Sequence, residues 1–468
     1  MIEVNDTIAA IATAASEAGI GIIRISGENA FSVADRIFRT PGKHISVSDF
    51  PANTIHYGHI YDKEEVVDEV LLSVMKAPRS YTTEDTVEIN THGGTFIMKR
   101  VLDLVLSSGA RAAEPGEFTK RAFLGGRIDL SEAEAVMDLI SSSGEFARKA
   151  SMAQLSGSVS GKIREYRTQL IYEIAFIESA LDDPENYSLD GYPEKLDSIC
   201  LKLIMDMEKL LSLSESGRIM KNGIRTVIVG KPNVGKSSLL NYILGQDRAI
   251  VTEIAGTTRD ILEETARIGE VLLHITDTAG IHETSDRVES IGIERARKAL
   301  SESQLVLCLF NAAESLTEED LSLIREIRPL MAEGKQCIVL LNKSDLEVKL
   351  DQETIISLFE SDDLPVITCS VANASGMDEL ENTILSLFHL GKITETSEVF
   401  LTNLRHTEAV RNALSSLRLV RESIAGGLSE DFYAIDLMNA YTFLGTIIGE
   451  SVEDDLVEEI FSKFCLGK

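Results

Sequence analysis

The residues whose spacing most directly indicates chemistry form a glycine-rich loop that begins at Gly230 and ends at Ser237. The loop has the pattern G-x-x-x-x-G-K-S and lies between a predicted strand over residues 225–229 and a predicted helix that opens at Ser238. Backbone N–H groups of such a loop surround phosphate oxygens. Lys236 would contact the β and γ phosphates, and the Ser237 hydroxyl would bind Mg²⁺. The pattern therefore predicts a site for a nucleoside triphosphate.

Two further motifs follow at the ends of predicted strands. The run D-T-A-G begins at Asp277, which can hold the water shell of Mg²⁺, and ends at Gly280, whose amide can contact the γ-phosphate. The run N-K-S-D begins at Asn342 and ends at Asp345. The Asp345 carboxylate can accept two hydrogen bonds from the N–H edge of guanine, which adenine does not offer. The predicted nucleotide is therefore GTP.

Two more segments complete the predicted nucleotide site. Residues 252–258 read T-E-I-A-G-T-T, and Thr258 is the better placed threonine to join Ser237 as a Mg²⁺ ligand. Residues 370–372 fit the last base-contacting loop, although Asn373 follows where a lysine is common. The predicted GTP-binding residues are Asn233, Val234, Gly235, Lys236, Ser237, Ser238, Thr252, Glu253, Ile254, Ala255, Gly256, Thr257, Thr258, Asp277, Thr278, Ala279, Gly280, Asn342, Lys343, Asp345, Ser370, Val371 and Ala372.

The group that orients the attacking water is not obvious from the motifs. Ile281 follows the D-T-A-G run, and its aliphatic side chain cannot orient water as a glutamine does in Ras-type proteins. Three carboxylates further along, Glu283, Asp286 and Glu289, are candidates, and the residues alone leave the choice open. Asn233 could help to hold a monovalent cation beside the phosphates, supplying positive charge.

Length and composition limit the class of protein. The 468 residues suggest about three domains, and the fraction of hydrophobic residues, 44%, is typical of a globular chain. Lys and Arg total 45 against 75 Asp and Glu, a net charge of −30 that opposes non-specific binding to nucleic acid. The chain lacks an apolar run long enough for a membrane span, and its first residues lack the basic start of a secretory signal. We expect a cytoplasmic protein.

The elements that must position these motifs indicate a multidomain architecture. Short strand-like runs mixed with helical spacing predict an α+β N-terminal domain over residues 1–120. Long helical patterns predict an all-α domain whose two halves cover residues 121–219 and 391–468. Between the halves, strands alternate with helices over residues 220–390, which predicts an inserted, parallel α/β P-loop domain of the Ras-like G domain type.

Several runs outside the G domain resemble the MnmE (TrmE) family of tRNA modification GTPases. The resemblance spans the whole chain, and the C-terminal pattern C-x-G-K after an inserted G domain is its most specific part. The matching runs include D-T-I-A-A-I-A-T at 6–13, G-I-I-R-I-S-G at 21–27, T-H-G-G at 91–94, E-F-T-K-R-A-F-L at 117–124, D-L-S-E-A-E-A at 129–135 and C-L-G-K at 465–468.

The resemblance implies a homodimer formed through the N-terminal domain, which also binds 5-formyl-tetrahydrofolate or a related folate as a one-carbon donor. The positions that match the family's folate contacts are Arg24, Glu88, Arg127 and Lys468. Where the family usually has P-G-R-G after the first strand, this chain reads A-S-E-A at residues 15–18, so Glu17 reverses a charge beside the expected pocket.

The resemblance also assigns roles in catalysis. It implies K⁺-dependent dimerisation of G domains, with K⁺ held at Asn233, Thr252, Ile254 and Thr257. It selects Glu289 as the water-orienting carboxylate. Cys465, in the C-terminal tail, would act as a nucleophile or in proton transfer, and the residues leave open a structural role in which the thiol positions the tail.

The family acts with an FAD-dependent partner, MnmG (GidA), to add an aminomethyl or carboxymethylaminomethyl group to position five of the wobble uridine in certain tRNAs. The acidic composition predicts modest, salt-sensitive tRNA affinity for this chain, with the partner supplying much of the basic surface. The alternative is a GTPase switch in ribosome assembly, which would need a basic RNA-binding module after the G domain. A scaffold with a degenerate G domain conflicts with the intact Lys236, Ser237, Asp277 and Asp345.

Overall fold

The computed structural model describes residues 6–14, 16–42, 45–142, 144–246, 263–269, 271–277, 298–388 and 399–450, together with 457, 460–462, 464 and 467. Contacts within the chain divide it into two compact units. The first contains Met1–Met137, Gln154–Asn186 and Ala434–Lys468, and the second contains Asp138–Ala153 and Tyr187–Tyr433.

The strands belong to two sheets, one in each unit. The first sheet contains β1 Ile8–Ile11, β2 Ala18–Ser26, β3 Phe38–Arg39, β4 Thr54–Asp62, β5 Glu65–Met75, β6 Thr86–Gly93 and β7 Arg111–Ala112. The second contains β8 Ile224–Val229, β9 Glu263–Ile268, β10 Val271–Asp277, β11 Leu305–Asn311, β12 Gln336–Asn342 and β13 Val366–Thr368.

The α-helices account for most of the remaining regular structure. They are α1 Ala30–Ile37, α2 Thr95–Ser107, α3 Glu117–Leu124, α4 Leu130–Ile140, α5 Glu145–Leu155, α6 Ser158–Asp182, α7 Tyr192–Asn222, α8 Lys236–Gln246, α9 Glu318–Ala332, α10 Gln352–Phe359, α11 Met377–Leu387, α12 Leu404–Ala425 and α13 Glu430–Ile448. No helix in the described ranges is both long enough and apolar enough to cross a membrane.

The N-terminal sheet is covered by helices on one face. Its strand order is β3-β4-β5-β6-β2-β1-β7, and all neighbours are antiparallel except β1 and β7. Apolar residues at helical spacing on α1 and α2, including Val33, Ile37 and Val101, pack against inward residues of the strands. Outward residues such as Ile55 and Leu71 are exposed, at 65% and 47%. The predicted α+β character of this region is confirmed.

A buried arginine joins the start of the first unit to helix α3. The side chain of Arg121 is 2% exposed, and its guanidinium donates to carboxylate oxygens of Asp6 at 2.7 Å, Glu117 at 2.9 Å and Glu84 at 3.1 Å. Burial by itself raises the pKa of Glu117, but the guanidiniums of Arg111 and Arg121 outweigh this effect and hold the pKa below its usual value.

Replacing Arg121 should destabilise this unit, because three carboxylates would lose a buried positive partner, although Asp6 and Glu117 would keep their ion pairs with Arg111. We expect Arg121→Met to lower the free energy of unfolding by about 3 kcal/mol, measured by chemical denaturation. Arg100→Met is the matched control, since Arg100 pairs with Asp62 and Glu65 at 35% exposure and should cost less than about 1 kcal/mol. Equal losses in the two variants would contradict the role given to Arg121.

The second sheet has the order β13-β12-β11-β8-β10-β9. Its strands run parallel except β9, which pairs antiparallel with β10. The predicted α/β G domain is confirmed, and the expectation of a parallel sheet is corrected at this one edge. The reason is local: only residues 269 and 270 separate β9 from β10, too few for a crossover, and Gly269 has φ of +56°.

Candidate nucleotide site

The glycine-rich loop leaves the C-terminal end of β8 and enters α8 at Lys236, as the sequence predicts. Its backbone needs glycine at two positions. Gly230 has φ of +155°, and a Cβ there would lie 2.5 Å from the carbonyl oxygen of Leu309. Gly235 has φ of +109°, and its Cβ would lie 2.3 Å from Nδ2 of Asn342. These two glycines therefore let the loop pack tightly against the ends of the neighbouring strands.

The lysine of the motif folds back over its own loop. The Nζ atom of Lys236 donates to the carbonyl oxygens of Gly230 at 2.7 Å and Lys231 at 3.0 Å. Ser237 follows in the first turn of α8, where it is exposed to solvent. The first N–H groups of a helix lack partners within the helix and favour an anion. The loop thus places an ammonium, a hydroxyl and a helix N-terminus together, an arrangement that fits bound phosphates.

A second lysine, Lys231, holds the loop through ion pairs. Nζ of Lys231 lies 3.2 Å from Oδ2 of Asp320 and 3.2 Å from Oε2 of Glu314. Burial by itself lowers the pKa of Lys231, but the two carboxylates outweigh this effect and raise the pKa above its ordinary value. Lys231 is therefore a charged anchor of the loop.

Asn342 joins the phosphate loop to the predicted base-contacting loop. It ends β12 and is 3% exposed. Its Nδ2 donates to the carbonyl oxygen of Val234 at 2.8 Å, and its Oδ1 accepts from the backbone N–H of Val371 at 3.0 Å. One amide side chain therefore fixes the distance between the segments that would hold the phosphates and the base.

Asp345 stands exposed beside the same loop. Its Oδ1 accepts a hydrogen bond of 2.6 Å from the Ser370 hydroxyl, and the N–H of Ser344 donates to the carbonyl oxygen of Cys369 at 3.0 Å. These bonds orient the carboxylate while its second oxygen carries none of the hydrogen bonds described for the site. An oriented, exposed carboxylate fits the two adjacent N–H groups of guanine.

The Asn342 amide should matter for both stability and affinity. We expect Asn342→Ala to lower the free energy of unfolding by about 2 kcal/mol, because the Val234 carbonyl and the Val371 N–H lose their buried partner. The same variant should also bind GTP more weakly.

Asn311→Ala is the matched control for that variant. Asn311 lies directly opposite Asn342 on β11, is 6% exposed, and accepts from the N–H of Ala313 rather than from either nucleotide loop. Nucleotide titration and chemical denaturation of both variants check the prediction. An equal loss of GTP affinity in the two would contradict it.

The remaining predicted nucleotide residues are placed only in part. Asp277 ends β10, where its backbone pairs with that of Ile228 near the start of the phosphate loop. Glu289, the predicted water-orienting residue, lies outside the described residues. So do the predicted nucleotide-binding residues Thr252, Glu253, Ile254, Ala255, Gly256, Thr257, Thr258, Thr278, Ala279 and Gly280.

Two of the four predicted folate contacts pair with each other on the N-terminal sheet. Arg24 on β2 and Glu88 on β6 are directly opposite, and Nε of Arg24 donates to Oε1 of Glu88 at 2.8 Å. Nη1 of Arg24 lies 3.4 Å from the carbonyl oxygen of Gly467, so the C-terminal tail reaches this site. Lys468 and Cys465, on either side of Gly467, lie outside the described residues.

Aromatic residues that the sequence reasoning missed complete this second site. The guanidinium carbon of Arg24 lies 5.6 Å from the ring centroid of Tyr81 and 5.5 Å from that of Phe118. Arg127 lies 5.0 Å from the same Tyr81 ring and donates to the Tyr81 carbonyl oxygen at 2.8 Å. Tyr81 thus lies beside both predicted basic contacts. Because the three residues are far apart in sequence, no spacing signal could have indicated the contact.

Comparisons with known proteins show the family of this chain. The family model described as GTP-binding protein TrmE N-terminus matches residues 7–127, and the model described as MnmE helical domain matches residues 130–465. A tRNA modification GTPase MnmE of Lachnoclostridium phytofermentans is 50% identical over 99% of this chain and 100% of that protein. The proteins of the same name from Clostridioides difficile and Bacillus subtilis are 45% and 44% identical, again over 99% of this chain and 100% of each relative.

Among solved structures, the G domain of the T. maritima FeoB iron transporter is 25% identical over 35% of this chain and 96% of that chain, with a TM-score of 0.26. The two family models together extend over nearly the whole chain, and the relatives match it from end to end. This chain belongs to the MnmE family of tRNA modification GTPases.

Proposed function

We propose that this protein hydrolyses GTP and uses the cycle to modify the wobble uridine of certain tRNAs. The single observation that carries the GTP assignment is the Asn342 amide, which holds the phosphate loop and the loop beside Asp345 at a fixed separation. A nucleotide bound by the loop would thereby present its base to Asp345. Family membership adds the tRNA substrate to this proposal.

Metal ions would bind around the phosphate loop. Ser237 is exposed at the start of α8, and it would hold Mg²⁺ together with Thr258. Asn233 is exposed in the loop with φ of +64°, and it would hold K⁺ together with Thr252, Ile254 and Thr257. Both ions would supply positive charge against the phosphates. Glu289 would orient the attacking water.

We expect potassium to accelerate hydrolysis by about 10-fold or more over sodium at equal ionic strength, because a charge held beside the phosphates stabilises the transition state. The measurement is phosphate release in KCl and in NaCl. Asn233→Ala should abolish the difference between the two salts. Equal rates of the unmodified protein in KCl and NaCl would contradict the role of potassium.

The Arg24 site would bind the folate cofactor, the donor of a one-carbon unit. Glu88 would accept from the pterin amide and amine, and Arg24, Arg127 and Lys468 would hold acidic or carbonyl parts of the ligand. The described residues fit such a ligand, because a partly exposed carboxylate, two guanidiniums and the ring of Tyr81 line one place.

The protein would work as a homodimer together with the FAD-dependent partner MnmG (GidA). The uncovered face of the N-terminal sheet supports dimerisation there, since it exposes Ile55, Tyr57 and Leu71 on two adjacent strands at 65%, 46% and 47%. We further propose a cytoplasmic location. The proposed domains are residues 1–120 for dimerisation and folate, 220–390 for GTP, and 121–219 with 391–468 for the helical domain.

Nucleoside mass spectrometry of total tRNA tests the proposed function. Cells that lack the gene should lose the modified wobble uridines, and the wild-type gene should restore them. Complementation with Cys465→Ser, or with Lys236→Ala, should not. Persistence of the modified uridines in the deletion strain would refute the proposal.

A further inference from the structure

A cavity of about 350 Å³ lies at the end of the second sheet opposite the phosphate loop. One side is formed by the last turns of α7, with Arg218, Asn222 and Gly223. The other side is formed by the starts of the central strands, with Arg225, His274 and Gln304 among the lining residues. A second cavity of about 410 Å³ shares Ile219 and Gln304 with it, and we call the two adjoining cavities the groove.

Neither arginine side chain of this groove is paired with another group in the part of the chain that the structure describes. Arg218 is half-buried and Arg225 is exposed, and neither guanidinium has an ion pair or a hydrogen bond to a described residue. The two groups line one cavity from facing elements.

The obvious local task is to compensate the negative C-terminal end of α7, and other groups already perform it. The N–H of Gly223 donates to the carbonyl oxygen of Ile219 at 2.8 Å. Nε2 of His274 lies 2.8 Å from the carbonyl oxygen of Asn222, and its Nδ1 lies 3.3 Å from the Thr265 hydroxyl. His274 therefore donates through Nε2 to the last carbonyl of the helix.

The positive charge of Arg225 also acts on a neighbour. Lys335 lines the adjoining cavity, and its ammonium donates to the carbonyl oxygens of Leu300 at 2.6 Å and Ser303 at 3.1 Å. Burial lowers the pKa of Lys335, and the charge of Arg225 lowers it further, against the opposing effect of Glu333. Arg218, Arg225 and Lys335 therefore bring three positive charges to the groove, and Glu333 in the adjoining cavity opposes them only in part.

We propose that the groove between Arg218 on α7 and Arg225 on β8 binds a phosphate-bearing anion. A guanidinium group can donate two parallel hydrogen bonds to phosphate oxygens. Two guanidiniums on facing elements can therefore bind one anion from both sides. The side-chain amides of Asn222 and Gln304 line the same cavity. The phosphate comes either from an RNA backbone or from a free phosphate compound. This site is separate from the proposed GTP site, and its existence does not depend on that assignment.

Calorimetric titration of the full chain with inorganic pyrophosphate tests the site. GDP in excess keeps the phosphate loop occupied, and ionic strength and free Mg²⁺ are held constant. We expect one pyrophosphate to bind per chain. Arg218→Gln and Arg225→Gln should each weaken binding by about 10-fold or more, because each removes a charged hydrogen-bond donor, and the double variant should show no binding.

Lys202→Gln is the matched control, because Lys202 is exposed on the same helix and does not line the groove. It should bind pyrophosphate as the unmodified protein does, and all variants should keep their GDP affinity. Absence of pyrophosphate binding to the unmodified protein, or undiminished binding to the double variant, would overturn the proposal. Preloading with tRNA identifies the source: loss of pyrophosphate uptake assigns the site to RNA phosphates, and retained uptake assigns it to a free phosphate compound.

Discussion

The Asp345→Asn protein is expected to bind GTP about 1000-fold more weakly than the unmodified protein and to bind xanthosine triphosphate better. The carboxylate accepts from two adjacent N–H groups of guanine, and an amide can accept from only one of them while its own NH₂ group opposes the other. Xanthine has a carbonyl oxygen in place of the guanine amino group, so the Asn NH₂ can donate to it. Competition titrations with the two nucleotides measure both changes.

The Ser370 hydroxyl makes this prediction sharper. Because Ser370 donates to Oδ1 of Asp345 at 2.6 Å, it should also orient an asparagine with its oxygen at the same place. Glu347→Gln is the control, since Glu347 is an exposed carboxylate two residues further along and should leave both affinities unchanged. A loss of GTP affinity without any gain for xanthosine triphosphate would mean that Asp345 supports the loop and does not read the base.

Local sequence patterns were sufficient to predict the strands and helices that carry the nucleotide motifs. The run of apolar residues before Gly230 and the helix after it match β8 and α8, because the hydrophobic pattern of a buried parallel strand is continuous. The antiparallel edge strand β9 was not predicted, because strand direction depends on the length of the connection to β10 and not on the residues of β9 itself.

Contacts between distant residues were the part that the sequence could not supply. The N-K-S-D motif indicated Asn342 as a nucleotide-site residue, but not that its side chain reaches Val234 and Val371, 108 and 29 residues away. The contacts of Tyr81 with Arg24 and Arg127 also join residues that are distant in the sequence. Such contacts follow from the packing of several elements at once, and no single segment carries a signal for them.

Lys236→Ala should have the largest effect of all on GTP turnover, a loss of about 1000-fold or more in kcat/KM. The ammonium is the positive charge that the described part of the loop places over the phosphate-binding backbone, and removing one group that stabilises transition-state charge costs about 100- to 1000-fold. Binding of the γ-phosphate would weaken as well, because the same charge faces it before the reaction. Steady-state phosphate release measures the loss.

Folding should survive this substitution, because the two carbonyl oxygens that Lys236 now contacts belong to residues that are partly exposed to water. Lys349→Ala is the control, since Lys349 is an exposed lysine of the same unit and should retain full turnover. Thermal unfolding of both variants should match that of the unmodified protein. If Lys236→Ala kept its turnover, the loop would not be the site of hydrolysis; if it unfolded, Lys236 would serve the fold of the loop before it serves the reaction.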